Sequence, residues 1–128
     1  MIEFTVPGNP IPKARPRVIQ RGKRTFAYTP RRTRNWEAAI RAAAWEHVKL
    51  GPLHRRPLAV TLTFYRENHV RADTDNLAKA VLDALNGICY VDDAQIVDLH
   101  LRRYVDSDNP RVEIRIKEAL RCGDSKSR

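Results

Sequence analysis

The spacing of the apolar residues changes along this chain, and this change is the sequence feature that most restricts its fold. Apolar residues alternate with polar ones in four segments, which begin at Ile2, Leu58, Val97 and Val112. A period of two predicts β-strands. In two other segments, after Thr29 and after Asp73, apolar residues recur every three or four positions, which predicts helices with one buried face. This mixture of strands and helices predicts an α+β fold.

The connections between the strands predict which of them pair. Residues 18–19 and 25–28 flank a basic segment around Gly22, so we expect a short hairpin with a basic tip. The strands at 97–101 and 112–116 are joined through Asp-Ser-Asp-Asn-Pro, a run of turn-forming residues. We therefore expect these two strands to form an antiparallel pair. The predicted fold is a mostly antiparallel sheet on which two main helices pack.

Both helices have recognisable ends. Thr29 is the predicted N-cap of the first helix, with Pro30 as its first helical residue, and the Gly-Pro pair at 51–52 is expected to end it. Trp36, Ile40 and Ala44 share its apolar face. The second helix is predicted over residues 74–86, and Gly87 suits the position that follows its C-terminus.

The length of 128 residues favours one domain. We assign residues 1–118 to that domain and residues 119–128 to a flexible C-terminal tail. Cys89 and Cys122 provide no disulfide framework. Neither a signal peptide nor an apolar run of membrane-spanning length is visible, so we expect a cytoplasmic protein that does not bind membranes.

The charge is unevenly distributed. The formal net charge is +9, of which residues 1–56 carry +10 and residues 57–128 carry −1. Between residues 13 and 34 there are nine basic residues and no acidic one, which favours a polyanionic partner such as DNA or RNA. A solvated basic face or a ribosomal structural role would give the same composition. If DNA is the partner, we expect contacts from Lys13, Arg15, Arg17, Lys23, Arg24, Arg31, Arg71 and Lys79.

The acidic residues are grouped around the second helix. Asp73 and Asp75 stand at its start, and Asp92 and Asp93 follow an apolar run after its end. At about 100° per residue, Asp75 and Lys79 lie on the side roughly opposite the apolar face. Carboxylates are the ligands that Mg²⁺ prefers, and a bound metal activates water for phosphodiester hydrolysis. The pattern therefore predicts a metal-dependent nuclease.

Structural roles explain the same acids one by one. Asp73 or Asp75 could cap the helix, and Lys79 could form ion pairs four residues away in either direction, to Asp75 and to Asp83. Asp92 with the glutamine three residues later fits a capping box. On these readings the chain is a non-catalytic basic module that binds DNA or RNA. A sugar-nucleotide transferase with a D-x-D motif is excluded, because 128 residues leave no room for its nucleotide-binding fold.

Three motifs together resemble the RusA-type Holliday-junction resolvases. They are D-x-D-N-x-x-K at residues 73–79, D-A-L-N-G at 83–87 and D-D-x-Q-I at 92–96. Residues 6–10 and 13–17 are similar to members found in phages and prophages. The resemblance extends from about residue 4 to residue 117, and it places the protein in a bacterial or phage-infected cell, at the nucleoid.

The resemblance implies a homodimeric endonuclease, dependent on Mg²⁺ with Mn²⁺ as a substitute, that makes paired symmetric nicks in four-way DNA junctions. It implies Asp73, Asp75 and Asp93 as metal-binding catalytic residues, with Lys79 completing the catalytic set. Asp92 is implied as a helper or a cap. Some members have a basic residue directly before the first aspartate, whereas this chain has Ala72 there.

Overall fold

The structure is a computed structural model that describes residues 1–14, 17–28, 30–48 and 56–119. The predicted tail lies outside the described residues from position 120 onward. The described strands and helices, in chain order, are β1 (Ile2–Pro7), β2 (Arg17–Arg21), β3 (Arg24–Tyr28), α1 (Arg31–His47), β4 (Leu58–Arg66), α2 (Thr74–Leu85), a 3₁₀ turn (Asp93–Gln95), β5 (Ile96–Val105) and β6 (Arg111–Glu118). They form one α+β domain with a mixed sheet and two helices, which confirms the predicted fold class.

The main sheet has four strands in the order β1-β6-β4-β5. β6 pairs antiparallel with both β1 and β4, whereas β4 and β5 are parallel. The prediction that the last two strands pair with each other is therefore wrong, because β4 lies between them. Six of the nine residues of β4 are buried and the other three are half-buried, and a strand of this kind is most stable with a partner on each side. Its parallel partner is reached through α2, the type of crossover that parallel pairing requires.

The core lies between this sheet and the two helices. Val60, Leu62 and Phe64 of β4 are fully buried, as are Leu77 and Val81 of α2. Residues of α1, β1 and β6 complete the same hydrophobic cluster. Alternate side chains of β1, β4 and β6 face this core, whereas β5 adds only the partly buried Ile96 and Leu101.

The small hairpin is confirmed. β2 and β3 pair antiparallel, with Arg21 opposite Arg24, so Gly22 and Lys23 form a two-residue turn. Gly22 has a φ of 60°, as such tight turns require. The hairpin presents Lys23 and Arg24 as exposed residues at its tip.

The helix ends agree with the sequence only in part. α1 begins at Arg31, and Pro30 occupies the N-cap position with φ −54° and ψ 147°. This places the start one residue later than predicted, because the ψ of Pro30 is extended and not helical. Thr29 and the Gly-Pro pair at 51–52 lie outside the described residues, but α1 ends at His47 with Val48 as its C-cap, which is earlier than the predicted end. For α2 the prediction holds, since Gly87 follows the C-cap with a φ of 80°.

Candidate functional site

The first two acids, Asp73 and Asp75, lie where the loop after β4 leads into α2, and we call them the N-terminal acid pair. Asp73 occupies the N-cap position, but its side chain makes no capping hydrogen bond. Asp75 lies in the first turn, and its Oδ1 accepts the backbone N–H of Asn76 at 3.1 Å. Both side chains are exposed, and the helix dipole favours negative charge at this end. Capping therefore does not account for Asp73.

Lys79 lies one turn further along the same side of α2. It is exposed, and it forms no ion pair with any described residue, so neither of the pairings considered with Asp75 and Asp83 is present. Asp83 is paired instead with Lys13, whose Nζ lies 3.4 Å from its Oδ2. The ammonium group of Lys79 is consequently available to an external anion.

Asp92 and Asp93, which we call the C-terminal acid pair, precede and begin the 3₁₀ turn. Asp92 forms the expected capping box, in which its Oδ1 accepts the N–H of Ala94 and the side chain of Gln95 accepts the N–H of Asp92. The backbone N–H of Asp93 donates to Oδ1 of Asn86 at 3.0 Å. Asp92 thus shapes the turn that presents Asp93.

The carboxyl group of Asp93 has a raised pKa. Burial is the largest cause, followed by a side-chain hydrogen bond with Asp92 and the negative charges of Asp92 and Asp83, while a hydrogen bond with Asn86 opposes the shift. Like charges held this close repel one another. A bound cation would relieve that repulsion, so the electrostatics of the C-terminal acid pair suit a metal ligand.

Within one chain, the two acid pairs lie at opposite ends of α2. The N-terminal acid pair is at the start of the helix, whereas Asp93 is hydrogen-bonded to Asn86, which caps its end. A helix of 12 residues is about 18 Å long. Among the residues that the structure describes, no group of three His, Cys, Asp or Glu side chains could hold a metal ion. The predicted ligands Asp73, Asp75 and Asp93 are therefore divided between two places, and their shared role remains a prediction.

Lys13 has internal partners for its charge. Its Nζ lies 2.7 Å from Oε2 of Glu37, a largely buried residue of α1, and 3.4 Å from Asp83 of α2. Its backbone N–H also donates to the carbonyl of Asn76 at 2.9 Å. Burial lowers the pKa of Lys13, but the two carboxylates outweigh it and raise the pKa overall. Lys13 thus ties the segment after β1 to both helices, which is a structural role that the sequence did not reveal.

The other predicted DNA contacts are placed on the surface where they are described. Lys23 and Arg24 lie at the hairpin tip, Arg31 begins α1, and Arg71 lies two residues before Asp73; all four are exposed. Arg15 and the side chain of Arg17 lie outside the described part of the chain.

Two arginines without a role predicted from the sequence contact the loop that leads to the N-terminal acid pair. Nη1 of Arg66, at the end of β4, donates to the carbonyl of Val70 at 2.5 Å. Nη1 of Arg103, on β5, donates to the carbonyl of Ala72, directly before Asp73. A positive charge therefore lies beside the backbone of Ala72, directly before Asp73. The sequence contains one indication of this role, since Arg66 continues the alternation of buried residues in β4, a position where an arginine is unexpected.

Comparison with known proteins identifies the family. The model of the family described as "Endodeoxyribonuclease RusA" matches residues 7–117, which include both acid pairs and Lys79. This chain belongs to the RusA family. The match covers both helices and the sheet strands β4, β5 and nearly all of β6, and membership indicates an endodeoxyribonuclease that acts in DNA recombination.

The chain is also similar to one bacterial protein over nearly its whole length. The chain is 30% identical over 137 aligned residues to a protein of Bacillus subtilis (strain 168) that bears the name "Uncharacterized protein YqaN". The alignment covers 91% of this chain and 96% of that protein. Within the described residues of this RusA-family chain, neither helix has the length and apolar character needed to cross a bilayer.

Proposed function

We propose that this RusA-family protein is a divalent-metal-dependent endonuclease that resolves four-way DNA junctions by paired symmetric nicks. The observation that supports it most is the state of the charged side chains along α2. Among the described residues, Asp73 and Lys79 have no side-chain partner, and Asp75 accepts only the N–H of its neighbour. Charged groups left exposed in this arrangement suit a metal ion and a phosphate.

The donor chemistry of the acids fits Mg²⁺ or Mn²⁺. Asp73, Asp75 and Asp93 offer only carboxylate oxygens, the ligands that both ions accept. When bound, the metal would supply an activated water and a positive charge beside the phosphate. The role of Lys79 is to hold the ammonium group against a phosphate oxygen, where it offsets the negative charge that develops as the phosphodiester bond breaks.

A two-fold symmetric dimer is part of this proposal. In one chain the N-terminal and C-terminal acid pairs are separated by the length of α2, so one chain alone does not assemble all three predicted ligands. A second copy could bring the partner's Asp93 to Asp73 and Asp75, and two-fold symmetry would then create two equal sites. Two opposed sites match a four-way junction, which has near two-fold symmetry and must be cut twice. We place this enzyme in the cytoplasm, at the nucleoid.

The alternative is a basic module that binds DNA or RNA without cutting it. The separation of the acids within one chain favours this alternative, because no described group of acids completes a metal site. Under it, Asp92 serves only as a cap and the other acids are solvated surface charges.

The deciding experiment uses a synthetic four-way junction with each strand labelled in turn. We expect symmetric nicks in two opposing strands in Mg²⁺ or Mn²⁺, none in EDTA, and little cutting of a linear duplex of the same sequence. The matched control is Asp108→Asn, which removes one exposed carboxylate from the turn between β5 and β6 and should cut normally. Tight junction binding without cleavage in either metal would favour the non-catalytic module.

A further inference from the structure

Arg66 and Arg103 line one cavity beside the loop that carries the N-terminal acid pair. The cavity has a volume of about 320 Å³ and is also lined by Asn68, His69 and Val70. β4 and β5 are neighbours in the sheet, with Arg103 opposite Phe64, so the two arginines project from the same face. We call this space the arginine cavity.

Most hydrogen-bonding capacity of these two guanidinium groups is unused within the described chain. Each side chain has five N–H donors, and each donates one hydrogen bond within the described residues, Arg66 to the carbonyl of Val70 and Arg103 to the carbonyl of Ala72. Arg66 is only 6% exposed, and its Nε has no hydrogen-bond partner. A buried donor without an acceptor is costly, so contact with the loop does not fully account for these groups.

The charge of the arginine cavity is also uncompensated. No described carboxylate lies within 4 Å of Arg66 or Arg103. Burial lowers the pKa of Arg66, and the charges of Arg103 and Arg32 lower it further, while Glu67 partly opposes them. A buried cation without a counter-charge is unfavourable, and a second cation beside it adds repulsion. An anion in the cavity would satisfy both groups.

We propose that the arginine cavity is a binding subsite for one phosphate group of the DNA backbone, next to the phosphate that is cut. This inference rests on the proposed function. The planar guanidinium group binds phosphate through two parallel N–H bonds. Because Arg103 also bonds the carbonyl of Ala72, a phosphate bound there is held beside Asp73. The subsite orients the DNA strand and does not recognise any base, because contacts to the DNA backbone fix position and carry no sequence information.

The test compares two neighbouring arginines on β5. Arg103→Gln removes a charge from the cavity, whereas Arg102→Gln removes the same charge from the opposite face of the sheet, where Arg102 lines a different cavity. Junction binding is measured in Ca²⁺ over a series of salt concentrations. Arg103→Gln should weaken binding roughly tenfold and flatten the slope of log K against log salt by about 0.9. Arg102→Gln should change neither quantity.

A second measurement separates phosphate binding from support of the loop. Single backbone phosphates around the cut site are replaced by neutral methylphosphonates. The native protein should lose affinity at one particular phosphate adjacent to the cut. Arg103→Gln should be insensitive to that replacement and keep its sensitivity elsewhere, which is the coupling expected of two groups in contact. A variant that weakens binding but keeps the full sensitivity at every phosphate overturns the proposal.

Failure of the subsite can be told apart from failure of the proposed function. If the native protein neither binds nor cuts a four-way junction, the proposed function fails. If the native protein cuts normally and Arg103→Gln behaves like Arg102→Gln in both measurements, only the arginine cavity is ruled out. Arg66→Lys keeps the buried charge but loses the planar guanidinium group. It tests the role of Arg66 in the same two measurements, provided that its thermal unfolding is cooperative.

Discussion

A mixture of two inactive variants tests whether each cutting site draws on both subunits. The variants are Asp75→Asn, at the start of α2, and Asp93→Asn, beyond its end. Two carboxylate oxygens on one Mg²⁺ lie at most about 4 Å apart, since each metal–oxygen bond is about 2.1 Å. The ends of α2 are separated by about 18 Å. A shared site therefore requires Asp75 from one subunit and the partner's Asp93.

The expected rate follows from counting intact sites. Each variant alone has both sites damaged and should lose cleavage by orders of magnitude while still binding junctions in Ca²⁺. After equal mixing and exchange of subunits, about half of the dimers are mixed, and each mixed dimer has both substitutions in one site and none in the other. The mixture should regain about a quarter of the native number of sites.

The assay is junction cleavage with strand-specific labels after the mixed proteins have been allowed to exchange. We expect single nicks in the mixture, because a mixed dimer has one working site, and paired nicks only from the native protein. The control is a mixture of Asp75→Asn with Asp108→Asn, in which the second subunit keeps all the acids of the proposed site. If the Asp75→Asn and Asp93→Asn mixture stays as inactive as its parents while subunit exchange is demonstrated, the shared site is refuted.

Three further predictions follow from single side chains. Lys79→Ala should lower the free energy of unfolding in urea by less than about 1 kcal/mol. It should nevertheless raise the activation barrier for cleavage by ~2.7–4 kcal/mol. Cleavage at the native rate would exclude a contact between Lys79 and the phosphate. Lys13→Met should destabilise the fold by about 2 kcal/mol, because among the described residues it leaves the buried carboxylate of Glu37 with only the more distant Arg41, at 3.8 Å. A second change, Glu37→Met, should recover much of the lost stability. If stability is not recovered, the ion pair is not the cause. Asp93→Asn should slightly raise the melting temperature at neutral pH without metal. A carboxyl group whose pKa is raised on folding is less favourable when ionised in the folded protein than in the unfolded one, so Asp93 destabilises the fold as the pH rises through its folded pKa. At a pH below the ordinary Asp range, the native protein and the variant should melt at the same temperature.

Local sequence determined most of the elements of this fold. The alternation from Leu58 predicted β4, and the helical spacing after Asp73 predicted α2, because the two periods depend only on how successive side chains project from the backbone. Gly22 and Gly87 marked a turn and a helix end, since both positions require a positive φ. The same local motifs were sufficient to indicate the RusA family.

Only the tertiary structure decided which elements and side chains meet. β5 and β6 follow one another along the chain, yet β4 lies between them, because strand order depends on which strand gains most from burial on both sides. Lys13 meets Asp83, 70 residues away, and Arg103 meets the carbonyl of Ala72, 31 residues away. The charge and the spacing of these residues are visible in the sequence. Their partners are not, because long-range contacts are set by the packing of whole elements, and that packing left Lys13 paired inside the protein and Lys79 exposed on α2.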